Sequence, residues 1–410
     1  MALELEQSTR PAAFDASVIA EGNTLPVDGL YVHVPFCFHK CHYCDFYSIT
    51  RQTPERMARF VDLVLREAEA WTSRRPELAT AGAIRTVFFG GGTPSLLPAG
   101  EMARLIGGLR ERLDFSGVGE FTVECNPATV DAAYLGGLRA AGVDRLSFGA
   151  QSFNPADLRV LERHHDPEDV PRSLEFARSA GFRRLNLDLI YGVPGQSLAD
   201  WDHSLRQGLA CGTGHVSAYL LTYEANTPIA VKKRLGQLVA AEESLELEML
   251  AYTRSQLAEF GLPAYEISNF AQPGQECGHN VMYWRGGSYL GLGPSAASHV
   301  HGWRWKNRGH LGEWERAVEA GTLPIAEGEL LSAARRQAEK AYLGVRTTAG
   351  VAWADIGPFG RERFEPVLAR LVRAGLVLMD EGGFRLTEAG VKVSDGVGSE
   401  LLTAAEIAAR

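Results

Sequence analysis

Three cysteines fall within eight residues, in the run Tyr31-Val-His-Val-Pro-Phe-Cys37-Phe-His39-Lys-Cys41-His42-Tyr43-Cys44-Asp45-Phe46-Tyr47. Their spacing is C-x3-C-x2-C. One short loop of this kind can wrap three corners of an iron–sulfur cubane and offer a thiolate to three irons. The fourth iron then has no protein ligand close by, and an open iron is where a substrate or cofactor would bind. Two other readings compete. Positions i, i+4 and i+7 share one face of a helix, so the three could be packed core cysteines, although Pro35 and the crowd of aromatics and histidines argue against a helix there. A zinc site is the stronger rival, with His39 or His42 completing a Cys3His set. Structural zinc sites usually draw on two ligand pairs, and the sequence holds no second pair. Six cysteines in 410 residues do not make a disulfide framework. Cys125 and Cys211 follow strand or helix patterns and read as buried spectators.

The elements that must position this loop are legible as an alternation. Short runs rich in apolar and β-branched residues recur at 30–34, 86–89, 120–124, 145–148, 184–190 and 216–221. Helical patterns separate them at 56–71, 102–113, 131–141, 170–180 and 198–209. In the first of these, Phe60, Val61, Val64, Leu65 and Ala68 share one face. Strands alternating with helices mean βαβ units and a parallel sheet, and six such units suffice for a barrel or partial barrel. Ligands then gather at the C-terminal ends of the strands. The unusual residues stand there: Cys37 after the first strand, Gly90-Gly91-Gly92-Thr93-Pro94 after the second, Glu124 ending the third, Gln151 after the fourth, and Asp188 with Tyr191-Gly-Val-Pro-Gly195 at the fifth.

Beyond the sixth strand, 242–260 reads as a long helix and 264–268 as a short strand. Residues 277–298 are rich in Gly, Ser and aromatics, with little periodicity. The texture changes near residue 321. Helical patterns at 327–343 and 364–374, then a hairpin at 376–380 and 384–386, give the order of a small winged-helix domain. The expected division is a disordered lead-in over 1–25, the barrel over 26–260, a connecting extension over 261–320, and the C-terminal domain over 321–410. The fold class is therefore α/β, a partial (β/α)6 TIM-like barrel with a smaller winged-helix-like α+β domain.

A formal net charge of −9 argues against nucleic-acid binding. In the winged-helix-like tail, Arg361, Arg363, Arg370, Arg373 and Arg385 are interleaved with Glu362, Glu365, Asp380, Glu381 and Glu388, so no basic stripe supports phosphate binding. A DNA-binding regulator with a metal sensor is disfavoured for that reason. No apolar run is long enough to span a bilayer, and the first residues lack the basic start and apolar stretch of a signal peptide. The expected location is the cytoplasm. The stretch Gly291-Leu-Gly293-Pro-Ser-Ala296 formally fits G-x-G-x-x-A, but Pro294 and the lack of a framing βαβ unit exclude a dinucleotide site.

C-x3-C-x2-C after the first strand of a βα barrel resembles the radical S-adenosylmethionine (SAM) superfamily, in which SAM chelates the open iron. Tyr31-Val-His-Val-Pro-Phe-Cys37, Gly90-Gly91-Gly92-Thr93-Pro94-Ser95 and Asp188-Leu-Ile-Tyr-Gly-Val-Pro-Gly-Gln196 resemble the oxygen-independent coproporphyrinogen III oxidase family over nearly the whole chain. Within it, dehydrogenases carry a further cysteine two positions after the third and a long N-terminal extension. Here Asp45 and Phe46 follow Cys44, the lead-in is short, and His279-Asn280-Val-Met-Tyr283-Trp284 matches the His-Asn-x-x-Tyr-Trp motif of the HemW-type haem chaperone subfamily.

The resemblance implies a [4Fe-4S] cluster on Cys37, Cys41 and Cys44, and SAM contacts from Tyr31, Gly91 and Glu124. Tyr43, Gly92, Thr93, Gln151, Arg163 and Asp188 match positions that contact a second SAM in the dehydrogenases. His279 is the candidate haem ligand, with Tyr283 and Trp284 as flat apolar surface for a porphyrin. Cys277 is a further candidate thiolate. The expected activity is binding haem and passing it to an acceptor apo-protein, as monomer or homodimer. The alternative is coproporphyrinogen III decarboxylation or another radical reaction on a porphyrin.

Overall fold

The computed structural model describes residues 26–80 and 82–407, so the lead-in expected over 1–25 lies outside them. Six parallel strands follow in chain order: β1 (Gly29–Val34), β2 (Thr86–Gly91), β3 (Glu120–Cys125), β4 (Arg145–Gln151), β5 (Arg184–Tyr191) and β6 (His215–Leu220). They are neighbours in that same order. The helices α1 (Pro54–Arg74), α2 (Ala99–Arg112), α3 (Ala132–Ala140), α4 (Pro155–Leu161), α5 (Asp169–Ser179) and α6 (Leu198–Ala210) come between them. This is the expected partial (β/α)6 barrel. β1 and β6 do not pair with each other. Instead β6 pairs antiparallel with β7 (Asn269–Ala271), and β1 pairs parallel with β8 (Tyr289–Leu292).

Local chemistry explains the framework. The Thr53 side chain accepts from the Arg56 amide at 3.3 Å and caps α1, and Pro54 occupies its first turn, where no amide partner is needed. α1 buries Phe60, Val61, Val64, Ala68 and Trp71 against the sheet, and the larger of these side chains contribute roughly 1.5–3 kcal/mol each. Ser197 and Asp200 form a reciprocal capping box at the start of α6. The strands alternate. Leu30, Val32 and Val34 are fully buried in the main core, while Tyr31 and His33 between them line a cavity. Residues of the same strand at odd and even positions face opposite sides, so each barrel strand packs helices with one set and furnishes the interior with the other.

After β6 come α7 (Pro228–Arg234) and α8 (Glu243–Glu259); α9 (Gly278–Trp284) then precedes β8. The short strand expected at 264–268 is displaced to β7, leaving isolated bridges from Ala264 to Phe270 and from Glu266 to Thr347. The aperiodic region 277–298 contains both α9 and β8, because a seven-residue helix and a four-residue strand are too short to establish a period.

β9 (Ala297–Val300), β10 (Trp303–Asn307) and, past helix α10 (Leu311–Glu319), β11 (Ile325–Leu330) extend the sheet antiparallel from β8. This corrects the helix expected from residue 327. The pairs Trp303 with Leu330 and Trp305 with Gly328 make that segment a strand, and α11 (Ala333–Gly344) starts only where the Ser332 side chain caps it. The first strand past residue 321 thus belongs to the large sheet.

A second core follows, built from Ala338, Ala341, Ile356, Phe364, Leu368, Val377, Phe384 and Leu401 among others. It unites α11, β12 (Val351–Ala352), α12 (Trp353–Arg373), the hairpin β13 (Val377–Met379) and β14 (Gly383–Leu386), then α13 (Glu388–Val391) and α14 (Ser394–Ile407). The helix–hairpin order is that of a winged helix. Its charges are partly consumed in ion pairs, Arg370 with Glu400 and Arg254 with Glu388 among them. No helix among the described residues is long and apolar enough to cross a membrane.

Candidate functional site

The cysteine loop leaves β1 and is stitched down at both ends. The Cys37 amide donates to Ile49 O at 3.0 Å and the Ile49 amide to Pro35 O at 2.7 Å. The Cys44 amide donates to Cys41 O at 3.2 Å, a turn that brings the second and third thiols together. All three thiols are free and half-buried. Burial pushes the Cys44 thiol up to about 11 and the Cys37 thiol upward, and in both the charges of neighbouring cysteines add to the rise. Thiols that feel a neighbour's charge in a poorly solvated loop, as Cys37 and Cys44 do, fit a cationic cluster, because iron would stabilise the thiolates that burial disfavours.

The glycine run supports that loop directly. The Gly92 amide donates to Val34 O at 2.8 Å and the Thr93 amide to Phe36 O at 2.7 Å, while Thr93 Oγ1 lies 3.6 Å from Cys37 Sγ. A Cβ on Gly92 would lie 2.7 Å from Val34 O, so only glycine allows this approach. Gly91 has φ +103°, a conformation that L side chains rarely adopt, and a Cβ there would overlap the His33 ring.

Behind the loop opens a cavity of about 530 Å³. Tyr31, Gly91, Glu124, Asp188 and His279 all line it, as do Asp45 and Phe46 after Cys44. The Tyr31 hydroxyl lies 3.1 Å from His33 Nδ1, and His33 Nε2 lies 2.8 Å from Tyr47 O, which ties the cavity wall to the end of the cysteine loop. Glu124 accepts from the Gly91 amide at 3.2 Å. Burial, with the Asp188 charge added, pushes its carboxyl up to about 8. A cationic ligand arriving beside Glu124 would find an acceptor that costs little to ionise once the positive charge is in place.

The other expected contacts gather elsewhere. Arg163 donates to Gly149 O at 2.7 Å and to Cys41 Sγ at 3.7 Å. Gln151 sits on a bulge at the end of β4 with φ +64°, its amide beside Gly149 and the Arg163 guanidinium. Tyr43 packs against the small cluster of Leu161, Ile190, Val193, Leu221 and Ile229. Gly92, Thr93, Gln151, Arg163 and Tyr43 therefore surround the cysteine loop, and the structure does not bring them to the cavity wall.

His279 stands at the first turn of α9, 1% exposed, with its ring stacked on Phe88 at 5.2 Å. Both ring nitrogens are engaged, Nδ1 with Thr86 Oγ1 at 2.8 Å and Nε2 with the Tyr283 hydroxyl at 2.8 Å. Burial lowers its pKa to about 4, so the ring is neutral. Its neighbour Trp284 stacks under Arg346 of the second core at 5.3 Å. Cys277 is buried with Sγ 3.5 Å from Glu120 Oε1, away from the cavity wall, and Cys125 is likewise buried. Cys211 is only half-buried. Gly293, in the rejected glycine motif, donates to Glu67 at 2.8 Å in the turn between β8 and β9, a structural loop at the barrel's edge.

Several functional positions escaped the reading of the sequence. Glu120 accepts from the amides of Gly278 at 2.9 Å and His279 at 3.0 Å, and it pairs with Arg184 at 2.6 Å. Against the push of burial, Arg145 and Arg184 hold it below the usual carboxylate range. It therefore anchors the helix that carries His279. Arg145, Ser147, Asn186 and Ser217 form a polar floor around Asp188, with Ser147 Oγ at 3.0 Å and Asn186 Nδ2 at 2.8 Å from its carboxylate. The signal was available: polar residues stand at every second position of strands otherwise apolar, 145 and 147, then 186 and 188.

Residues 31–207 match the model of the radical SAM superfamily. The heme chaperone HemW of Mycobacterium tuberculosis (strain H37Rv) is 36% identical over 381 residues, covering 91% of this chain and 94% of that protein. The heme chaperone HemW of Bacillus subtilis (strain 168) is 34% identical over 367 residues, covering 88% and 95%. Among solved structures, coproporphyrinogen III oxidase (HemN) from Escherichia coli, a radical SAM enzyme, superposes with a TM-score of 0.81 at 24% identity, covering 94% of this chain and 92% of that one, a likeness of fold. The cysteine loop, the glycine run that braces it and the His-Asn-x-x-Tyr-Trp helix thus stand in a chain that belongs to the radical SAM superfamily and, within it, to the HemW family.

Proposed function

We propose that this protein is a haem chaperone that holds a [4Fe-4S] cluster on Cys37, Cys41 and Cys44, binds SAM beside it, and carries haem to an acceptor apo-protein in the cytoplasm. The observation that carries the reading is the cavity of about 530 Å³, in which the end of the cysteine loop, Glu124 and His279 share one space. When bound, the cluster supplies an open iron for SAM. Tyr31, Gly91 and Glu124, which line the cavity, would receive SAM, Glu124 as acceptor for its ammonium or ribose hydroxyls. Tyr31, Phe88, Tyr283 and Tyr289 give the cavity aromatic walls suited to a flat macrocycle. His279 is the ligand candidate for haem iron, with Thr86 fixing its Nδ1 side, provided Tyr283 releases Nε2.

Porphyrin oxidation is the second reading. Asp45 and Phe46 speak against it, because they occupy the cavity mouth where the dehydrogenases place a further cysteine. One anaerobically reconstituted sample separates the two. Haem should bind and pass to an apo-acceptor, while coproporphyrinogen III with SAM and reductant gives no vinyl product. Catalytic formation of vinyl product would overturn the chaperone reading.

A further inference from the structure

Two loops meet at Cys41: the cysteine loop itself and the turn at the end of α4, from which Arg163 reaches the Cys41 sulfur. Flanking these residues in sequence are His39, Glu162 and His164, none of which the cluster or the cavity uses. Each offers one ligand atom, and the three atoms lie within 4.8 Å of one another. The rings of His39 and His164 stack with centroids 4.4 Å apart and planes 12° from parallel. His39 Nε2 is shielded from solvent and has no hydrogen-bond partner among the described residues. An imidazole nitrogen left in that state is unfavourable, and a bound cation would satisfy it.

Glu162 is held for the same purpose. It sits in the left-handed conformation, φ +57°, at the C-cap of α4, where glycine would fit with less strain. His42 Nε2 lies 3.2 Å from its Oε2, and Lys232 Nζ lies 3.2 Å from His42 Nδ1. Lysine can only donate, so His42 Nδ1 accepts and its Nε2–H donates to Glu162 Oε2. One carboxylate oxygen is thereby oriented from behind, as outer-shell partners orient metal ligands.

We propose that His39, Glu162 and His164 form a second metal site, distinct from the three cysteines, that takes a divalent transition-metal ion of the zinc class. Two imidazoles and a carboxylate are the donor set such ions prefer, and three protein ligands leave a fourth position for water. Ligand atoms of a tetrahedral zinc centre stand about 3.4 Å apart when metal–nitrogen bonds are about 2.0–2.1 Å, so rotation of the side chains closes the site. The ion would fasten the cysteine loop to the end of α4. Of the two histidines that a Cys3His site could have borrowed, His39 faces Glu162 and His164 and His42 pairs with Glu162. This site does not depend on the haem reading.

The test uses full-length protein with its iron–sulfur cluster reconstituted anaerobically, then titrated with Zn2+ alone. Zinc content and zinc K-edge X-ray absorption are read on wild type, His164→Asn and Glu162→Gly. The last variant suits the positive φ, so its fold is not at risk. One zinc per chain is expected in a nitrogen–oxygen shell, with affinity falling about tenfold or more in both variants while iron content holds. A sulfur shell at about 2.3 Å, no zinc uptake, or equal affinity in all three proteins would overturn the proposal.

Discussion

Tyr283 occupies one of the two ring nitrogens by which His279 could bind a metal: its hydroxyl lies 2.8 Å from Nε2, while Thr86 occupies Nδ1 at the same distance. The bond is a latch within one helix, residue i to i+4. Net hydrogen-bond strengths of about 0.5–1.5 kcal/mol are what haem would have to displace. Tyr283→Phe should therefore tighten haem binding roughly two- to tenfold, and His279→Ala should weaken it and change the absorption spectrum. Haem titration followed by absorbance decides this. Unchanged spectra in both variants would remove His279 from the haem site.

Arg163 donates to the sulfur of Cys41, and its other arm is fixed to Gly149 O at 2.7 Å. Its positive charge favours the thiolate of Cys37, against the push of burial. In Arg163→Met the length is kept and the charge is lost. Iron bound per chain after reconstitution should drop, and the cluster should become harder to reduce, because one positive charge has left its surroundings. Iron analysis and a reductive titration followed by electron paramagnetic resonance give the two readings. Full iron occupancy with an unshifted midpoint would contradict the role.

Glu124 predicts a pH dependence of stability in the SAM-free protein. Its carboxyl is pushed up to about 8 by burial and by Asp188. The unfolded chain releases that proton near pH 4.3, about the usual carboxylate value, so the folded state binds the extra proton between the two values. Stability from this group is full below the unfolded pKa and is lost as pH rises through about 8. Glu124→Gln keeps the acceptor for Gly91 and cannot ionise. Above about pH 8 it should be more stable than wild type, by on the order of a few kcal/mol. Urea unfolding across the range checks this, and parallel profiles for the two proteins would refute it.

Gly91 and Gly142 make a matched pair of backbone tests. Both have positive φ, +103° and +92°. A Cβ at Gly142 meets the flexible end of Arg110, whereas at Gly91 it meets the buried His33 ring. Gly142→Ala should cost about 1–2 kcal/mol from backbone strain alone. Gly91→Ala should cost clearly more, and it should also lower cluster occupancy, because His33 links Tyr31 to Tyr47. Thermal unfolding with iron analysis compares the two. Equal losses of stability would mean the His33 contact carries no weight.

Much of the site could be read without coordinates, for reasons of spacing. Cys37, Cys41 and Cys44 lie on one loop, so their proximity is local and needs no tertiary information. Gly91, Glu124 and Asp188 were legible because parallel strands present their C-terminal ends to one rim, whatever the details of packing. The hairpin at β13 and β14 was marked by its turn residues Glu381-Gly382-Gly383. What escaped were residues whose role depends on a partner far away in sequence. Glu120 reaches Gly278 and His279 across 158 and 159 positions, and nothing in its own neighbourhood announces that.

By itself, then, the sequence determined the cysteine loop, the six-unit barrel and the rim beside that loop, since each follows from short-range spacing or from a period of two or about four. Only the tertiary structure decided which groups each histidine meets. It turned His39 toward Glu162 and His164, and it enclosed His279 between Thr86 and Tyr283. It also made residues 325–330 a strand, because the free edge of β10 offered unpaired backbone groups that a helix there would have left unsatisfied.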